Sequence, residues 1–400
     1  MPAFPYQITR RVLLIVSGNQ MSKIIMISVM FLFCETASGQ DSLFSISGQL
    51  NGYTGLSFSD PIKLQAGVRI IPSVSIVKKL NNNLKFDSEI AVNTYADFHF
   101  TDWVSDLPSD GLKPYRLWVR FSSERLEIRA GLQKINFGSA SFLRPLMWFD
   151  KIDPRDPLQL TDGVYGLLGR YYFKNNANVW LWTLLGNDKT RGWEMIPSKG
   201  NIPEFGGRLQ IPVPKGETAI SYHHRIANLA GSGSNLHLHG SPTYSEDRIG
   251  LDGKWDLGVG LWFEGTITRS YPDSSYFNPW SEMGTLGIDY TFPLGNGLYA
   301  ATELFSYNEG TDLFRSDSHR TFSSFTLNYP FGINKIGSII NYSWTDKSWY
   351  RFINIQRQND KWTFYLFLFW NPDRIAIYNN GSDNNDFAGT GIRIMAVYNF

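Results

Sequence analysis

Gly389-Thr-Gly-Ile-Arg-Ile-Met-Ala-Val-Tyr-Asn-Phe400 ends the chain. Ile392, Ile394, Ala396, Tyr398 and Phe400 recur there at a period of two, while Arg393 and Asn399 point the other way with Met395 and Val397 between them. Side chains on a β-strand alternate between faces, so this stretch reads as a strand with one continuous apolar face. The same alternation runs through Leu84–Thr101. Leu84, Phe86, Ile90, Val92, Ala96, Phe98 and Phe100 share one side, with Ser88 and Thr94 as mild exceptions. Lys85, Asp87, Glu89, Asn93, Tyr95, Asp97 and His99 share the other. At about 18 residues the segment is far longer than a usual strand of five or six. No helical periodicity of useful length appears after residue 40.

Composition decides what such strands build. Aromatic residues make up 15% of the 400 residues and charged residues only 18%. A soluble domain hides its aromatics, whereas a membrane barrel displays them to lipid and gathers them in belts at the two interfaces. Long strands suit a tilted bilayer crossing, and a terminal strand ending in an aromatic is how outer-membrane barrels usually end. The net charge of +1 offers no basic surface for nucleic acid.

Turn chemistry recurs near Asn81–Asn83, Ser123-Glu124, Asn175-Asn176, Pro214–Gly216, Asp256–Gly258, Leu294–Gly297, Gly332–Asn334 and Asn359-Asp360. Between these lie longer polar connections near 102–112, 138–162, 189–202, 229–245, 271–281, 308–320 and 371–387, with short ones near 59–61 and 346–348. Short turns at one end and longer loops at the other predict an all-β fold: a transmembrane up-and-down antiparallel β-barrel of about 18 strands, with 16 as the alternative count. An even count places both termini on the periplasmic side.

Met21-Ser-Lys23, followed by Ile24–Phe33, reads as a secretory signal, with Ala37-Ser38-Gly39 supplying small residues for cleavage before Gln40. Residues 1–20 precede it awkwardly, so Met21 competes with Met1 as the true start. The expected division is 1–39 as extension plus signal (21–39) and 40–400 as barrel. Cys34, the single cysteine, lies inside the signal. The mature chain then has no disulfide, thiol chemistry or cysteine-based metal site.

Alternation places Arg116, Trp118 and Arg120 on an inward face, followed after a tight turn by Arg125, Glu127, Arg129 and Gln133. Asp87, Glu89 and Asp97 face inward on the preceding strand. Charges are costly toward lipid, so the lumen is where they belong. They either set the field of a pore wall or brace the lumen as paired charges; both readings stand. The connection 138–162 holds three prolines and the apolar run Leu143, Leu146, Met147, Trp148, Phe149. It is too greasy to wave in water, which predicts that it folds into the barrel and sets Arg144, Lys151 and Arg155 against Asp150, Asp153 and Asp156 at a constriction. A cap over the rim is the alternative. Trp362–Trp370 is apolar on both faces, which predicts an inner face packed on an in-folded loop, with a slide of rings for sugars as the alternative.

Gly131-Leu-Gln133-Lys-Ile135-Asn-Phe137-Gly138, then Phe142, Pro145-Leu146, Phe149 and Asp153-Pro-Arg-Asp156, resembles the strand-plus-loop signature of alginate-export-type and related outer-membrane porins. The resemblance covers about 30 residues and implies a porin-like barrel. It does not imply alginate as solute, because an exporter of that polyanion should have a far more basic lumen. The Gly-Gln signal end and the Tyr/Asn-rich loops resemble Bacteroidota proteins.

No serine stands in a nucleophile context. His223-His224 places one ring on each face of a strand. His237 and His239 are two imidazoles without a nearby third ligand, and Asp383–Asp386 lacks the bidentate Glu of a calcium loop. No enzyme, metal or cofactor is expected. The expectation is passage of small polar or charged solutes through a lumen narrowed by the 138–162 loop. The rival reading is a non-conducting barrel that anchors a secretion, capsule or surface-polysaccharide assembly. Expected partners are outer-membrane lipid, the solutes, and the barrel-assembly machinery through the strand ending in Phe400; self-association is left open.

Overall fold

The computed structural model describes residues 43–81, 83–102, 104–105, 108–232, 242–272, 278–372 and 387–400. The signal segment with Cys34, His237, His239 and Asp383–Asp386 lie outside the described residues.

The strands are β1 (Phe44–Ser57), β2 (Lys63–Lys79), β3 (Lys85–Thr101), β4 (Val104–Ser105), β5 (Ser109–Ser122), β6 (Leu126–Gln133) and β7 (Val164–Tyr172). There follow β8 (Asn178–Leu184), β9 (Glu204–Val213), β10 (Gly216–Asn228), β11 (Thr243–Asp256), β12 (Gly260–Ser270) and β13 (Trp280–Phe292). The series ends with β14 (Leu298–Gly310), β15 (Ser318–Phe331), β16 (Asn334–Ser343), β17 (Ser348–Asn359), β18 (Trp362–Trp370) and β19 (Thr390–Asn399). β4 is a two-residue piece on the end of β3, and the 18 long strands form the barrel. Each long strand pairs antiparallel with the next. β19 returns to β1 from Gln49↔Asn399 to Ser57↔Gly391, so no edge is left open. Closure is a requirement, since lipid offers no partner to a free N–H or C=O.

The last residue secures that seam. Phe400 and Gly48 exchange backbone hydrogen bonds of 3.0 and 3.1 Å. The Phe400 ring covers Gly48, where any side chain would collide with it.

Short turns join β2–β3, β5–β6, β7–β8, β9–β10, β11–β12, β13–β14, β15–β16 and β17–β18 at one end, and the longer connections gather at the other. This is the predicted rhythm. It is set by residues that tolerate the left-handed region, such as Asn176 (φ 63°) and Lys215 (φ 58°).

Burial is inverted relative to a soluble protein. Val68, Ile90, Leu117, Leu181, Leu251, Leu286 and Ile394 are exposed on the outer face, while Asp87, Arg208, Glu264, Glu303 and Arg393 are buried inside. Exposed aromatics ring both ends. Tyr171–Phe173 (4.9 Å between centroids), Tyr290–Phe292 (4.9 Å) and Trp362–Phe364 (5.8 Å) lie toward the turns. Phe205, Tyr271, Trp344 and Trp349 lie toward the loops. An apolar wall between two aromatic belts is the exterior of a barrel built for a bilayer.

Leu286, 63% exposed in the middle of β13, tests that assignment. Leu286→Arg should lower stability in lipid vesicles by about 2–4 kcal/mol, the cost of a cation near the midplane. Equilibrium unfolding followed by tryptophan fluorescence measures it, and an unchanged midpoint would count against a lipid-facing β13.

Candidate functional site

From Lys134 to Gly163, between β6 and β7, the chain turns inward. The expected loop is there, and it crosses the lumen. Its first half packs into two apolar clusters. Ile135, Phe137, Leu146, Trp148 and Phe149 join Val164, Leu168, Trp182 and Leu184 of β7 and β8. Phe142 and Leu143 reach the far wall, where Phe305, Phe322, Phe352 and Phe367 receive them. Each large apolar side chain fully buried in this way contributes about 1.5–3 kcal/mol. The inner face of β18 is part of the second cluster, with Phe369 against Phe387 (5.6 Å), so packing explains its greasiness.

Irregular backbone inside a lumen carries N–H groups that need acceptors. Two inward glutamates meet them. Glu303 on β14 accepts from the N–H groups of Ser141 (2.7 Å), Phe142 (3.1 Å) and Leu143 (2.7 Å), and from Trp262 Nε1 (3.1 Å). Glu264 on β12 accepts from Ala140 (2.8 Å) and Leu146 (2.5 Å). Between them, Thr285 Oγ1 on β13 donates to Leu143 O (2.5 Å). Gly138, at φ 107°, lies so close to the Glu264 carboxylate that a side chain would strike it.

A second connection, between β8 and β9, props the first. Gly192 N–H donates to Asp150 O (2.9 Å), Trp193 Nε1 donates to Arg144 O (2.8 Å), and the Trp193 ring stacks on Phe305 at 5.3 Å. Gly192 also presses on the Met147 carbonyl, leaving no room for a side chain. The prop is held by a buried net of Arg191, Glu194, Glu204, Arg225, Glu246 and Arg248. Burial alone would raise the Glu194 carboxyl, but the guanidinium groups of Arg191, Arg225 and Arg248 outweigh it and hold the group below its usual range. His223 sits in the same layer, accepting from Trp182 Nε1 (3.2 Å) and facing Glu204 (3.0 Å).

The predicted charged residues separate into three groups. Those of the ladder lie toward the turn end and are largely satisfied by one another. Arg120 holds Asp87 through two oxygens (Nε 2.8 and 3.0 Å) and approaches Glu127 (3.7 Å). Glu127 also takes Arg129 (3.0 Å) and Arg170 (3.7 Å), and the Arg120 and Arg129 guanidiniums both lie against the Trp118 ring. Glu89 accepts from Ser73 (3.0 Å) and Trp118 (3.1 Å). Gln133 donates to Arg129 O and Gly166 O, and Arg116 donates to Thr161 O at the loop's return. Arg125 is a correction: it sits exposed in the turn before β6, its carbonyl accepting from Tyr172, because the alternation does not extend past the strand's start at Leu126.

The second group is locked within the loop. Arg144 pairs with Asp150 (3.5 Å) and also binds Asn136, so it braces the fold instead of bordering open space. Burial raises the Asp150 carboxyl, with Arg144 only partly offsetting this.

The third group borders a cavity of about 1140 Å³ between the loop and the wall made by β1, β2, β3, β5 and β19. Lys151, Asp153, Arg155 and Asp156 face it from the loop; Arg69, Asp97, His99, Lys113 and Arg393 face it from the wall. Four of its carboxylates are engaged, while Asp188, on the β8–β9 connection that also borders the cavity, is exposed. Asp97 accepts from Tyr53 Oη (2.9 Å), Asp153 holds Arg155 (2.6 Å) and Asp162 holds Lys113 (2.6 Å). Asp156 accepts from the N–H groups of Leu158 (2.9 Å) and Leu160 (3.4 Å), and burial raises its carboxyl. Arg393 donates to Gln65 Oε1 (2.6 Å), with Tyr53 and Phe387 against its guanidinium.

Sequence reading missed Arg69, Lys113 and the two anchoring glutamates. Arg69, between Val68 and Ile70, carries the inward signal that singled out Arg393. The glutamates are isolated inward acids whose partners are backbone groups, which leave no mark on sequence. On the outer wall, His224 faces Asp247 (2.8 Å), which also accepts from Tyr222 Oη (2.6 Å). Among the described residues no serine hydroxyl bonds to His223 or His224.

No known family model matches the chain, and no curated protein matches it. Among solved structures, OmpF of Salmonella typhi in complex with daunomycin aligns with 10% identity over 89% of this chain and 97% of that one, at a TM-score of 0.48. A variant of Rh. blastica porin aligns with 10% identity over 89% and 100%, at 0.44. The barrel itself rests on the chain's own strand pairing.

Glu303→Ala should leave three loop N–H groups without acceptors, at about 1–3 kcal/mol for each buried unsatisfied group. The loop should then loosen, and trypsin should cut after Lys151 or Arg155 in the folded barrel several times faster than in wild type. Equal cleavage rates would show that Glu303 does not hold the loop.

Proposed function

We propose that this protein is an outer-membrane channel of porin type that passes small polar or charged solutes along an off-centre route. The observation that carries the reading is the placement of the loop. It is bonded to the β12–β14 wall through Glu264, Thr285 and Glu303, and the space left over lies against the opposite wall. That space has charged side chains on both sides, Arg69, Lys113 and Arg393 on the wall and Asp153 and Asp156 on the loop. Such an arrangement can sort solutes by field and hydrogen bonding. The paired ladder of β3, β5 and β6 braces the lumen nearer the turns. Both termini and the short turns face the periplasm in this reading. The mature barrel begins near residue 40 and is assembled through its last strand.

The depth of apolar packing in the lumen favours a second reading, a plugged barrel that anchors a surface assembly. Single-channel recording separates the two, using full-length protein purified from membranes and inserted in a planar bilayer, beside a Glu264→Ala/Glu303→Ala double variant. The channel reading expects stable open steps in wild type that grow in the variant. Steps in the variant alone would favour the plugged barrel, and silence in both would end the channel reading.

A further inference from the structure

The cavity wall contains a cation that the protein leaves unanswered. Arg69 lies on the inward face of β2, opposite Tyr95 in register, with its guanidinium 5.6 Å from the centre of that ring. Its Nε is buried and has no hydrogen-bond partner, and among the described residues Arg69 forms no ion pair. Asp156 tempers its charge from a distance, but that carboxylate is taken up by two backbone N–H groups. Lys151, exposed on the loop, borders the same cavity and likewise forms no ion pair among the described residues.

We propose that Arg69 and Lys151 form an anion site in the cavity that takes the carboxylate or phosphate group of a solute. The bonds already made around the cavity favour an anion over a cation. A cation would have to compete with the Tyr53, Arg155, Lys113 and backbone bonds already made to Asp97, Asp153, Asp162 and Asp156, or settle on the exposed Asp188, whereas an anion meets a buried guanidinium Nε with no bond to give up. A guanidinium fork suits a planar carboxylate or a phosphate, and a flexible ammonium adds charge without fixing geometry.

The site extends the channel reading by naming a solute class, yet it can be tested without any current. Full-length protein in detergent is titrated with acetate, with inorganic phosphate and with choline, at constant ionic strength. Binding is read from the proton linewidth of acetate and choline and the phosphorus linewidth of phosphate. The expected result is saturable broadening of acetate, phosphate or both, and none of choline. Broadening of acetate alone would assign the site to carboxylates, and of phosphate alone to phosphates. Arg69→Gln should weaken binding about tenfold, the scale of one lost charge-assisted contact, and Lys151→Gln a few-fold. Lys151 sits on the loop surface, so that variant remains informative if Arg69→Gln fails to fold. The proposal is overturned if neither anion saturates, if choline broadens equally, or if the folded variants bind like wild type. Anion binding by a silent barrel would keep the site and discard the channel; conduction without anion binding would do the reverse.

Discussion

Every backbone N–H and C=O removed from water needs a partner, and this molecule meets that demand in two ways. Toward lipid, the strands pair all the way round, with β19 returning to β1. Toward the lumen, regular pairing is not available to the loop between β6 and β7. Glu303 and Glu264 accept five of its N–H groups instead, those of Ser141, Phe142, Leu143, Ala140 and Leu146. Apolar packing gives the loop its affinity for the interior, and the glutamates decide which wall it rests on. The position of the cavity follows from that choice.

The prop between β8 and β9 works on the same principle with different parts. It reaches the first loop through Gly192 and Trp193, and it is held by three arginines and three glutamates that are almost wholly buried. Buried ion pairs of this kind add little net stability, but removing one partner strands another charge, so the net resists piecemeal rearrangement. The ladder of Asp87, Arg120, Glu127, Arg129 and Arg170 is a second paired group, with three arginines on two carboxylates.

Strand placement was legible in the sequence because period-two alternation and turn residues are local signals. Leu84–Thr101 alternates as read almost residue by residue, and so do Arg116–Arg120 and Glu127–Arg129, but past Gly131 (φ 117°) Leu132, expected outward, is buried and borders the cavity. Arg125 was misplaced because alternation says nothing about where a strand begins. The inward fold of the 138–162 connection was legible from greasy residues in a loop. The ion pairs within it, Arg144 with Asp150 and Arg155 with Asp153, were legible only as neighbours in sequence. The contact of Glu303 with Ser141–Leu143 spans about 160 positions and joins a carboxylate to main chain, so no residue pattern announces it. Arg69 was legible as inward but not as unanswered, since that depends on where every nearby carboxylate is already spent.

The cavity lies beside the seam of the barrel. Asn51 and Tyr53 of the first long strand and Arg393 and Met395 of the last are both parts of its wall. Until those two strands meet, the loop can already rest on Glu264 and Glu303, but the wall opposite it lacks Arg393 and Met395 and is not closed. The route is therefore complete only when the barrel is closed. A chain arrested before closure has an anchored loop and an open edge, and no aperture of defined size or charge.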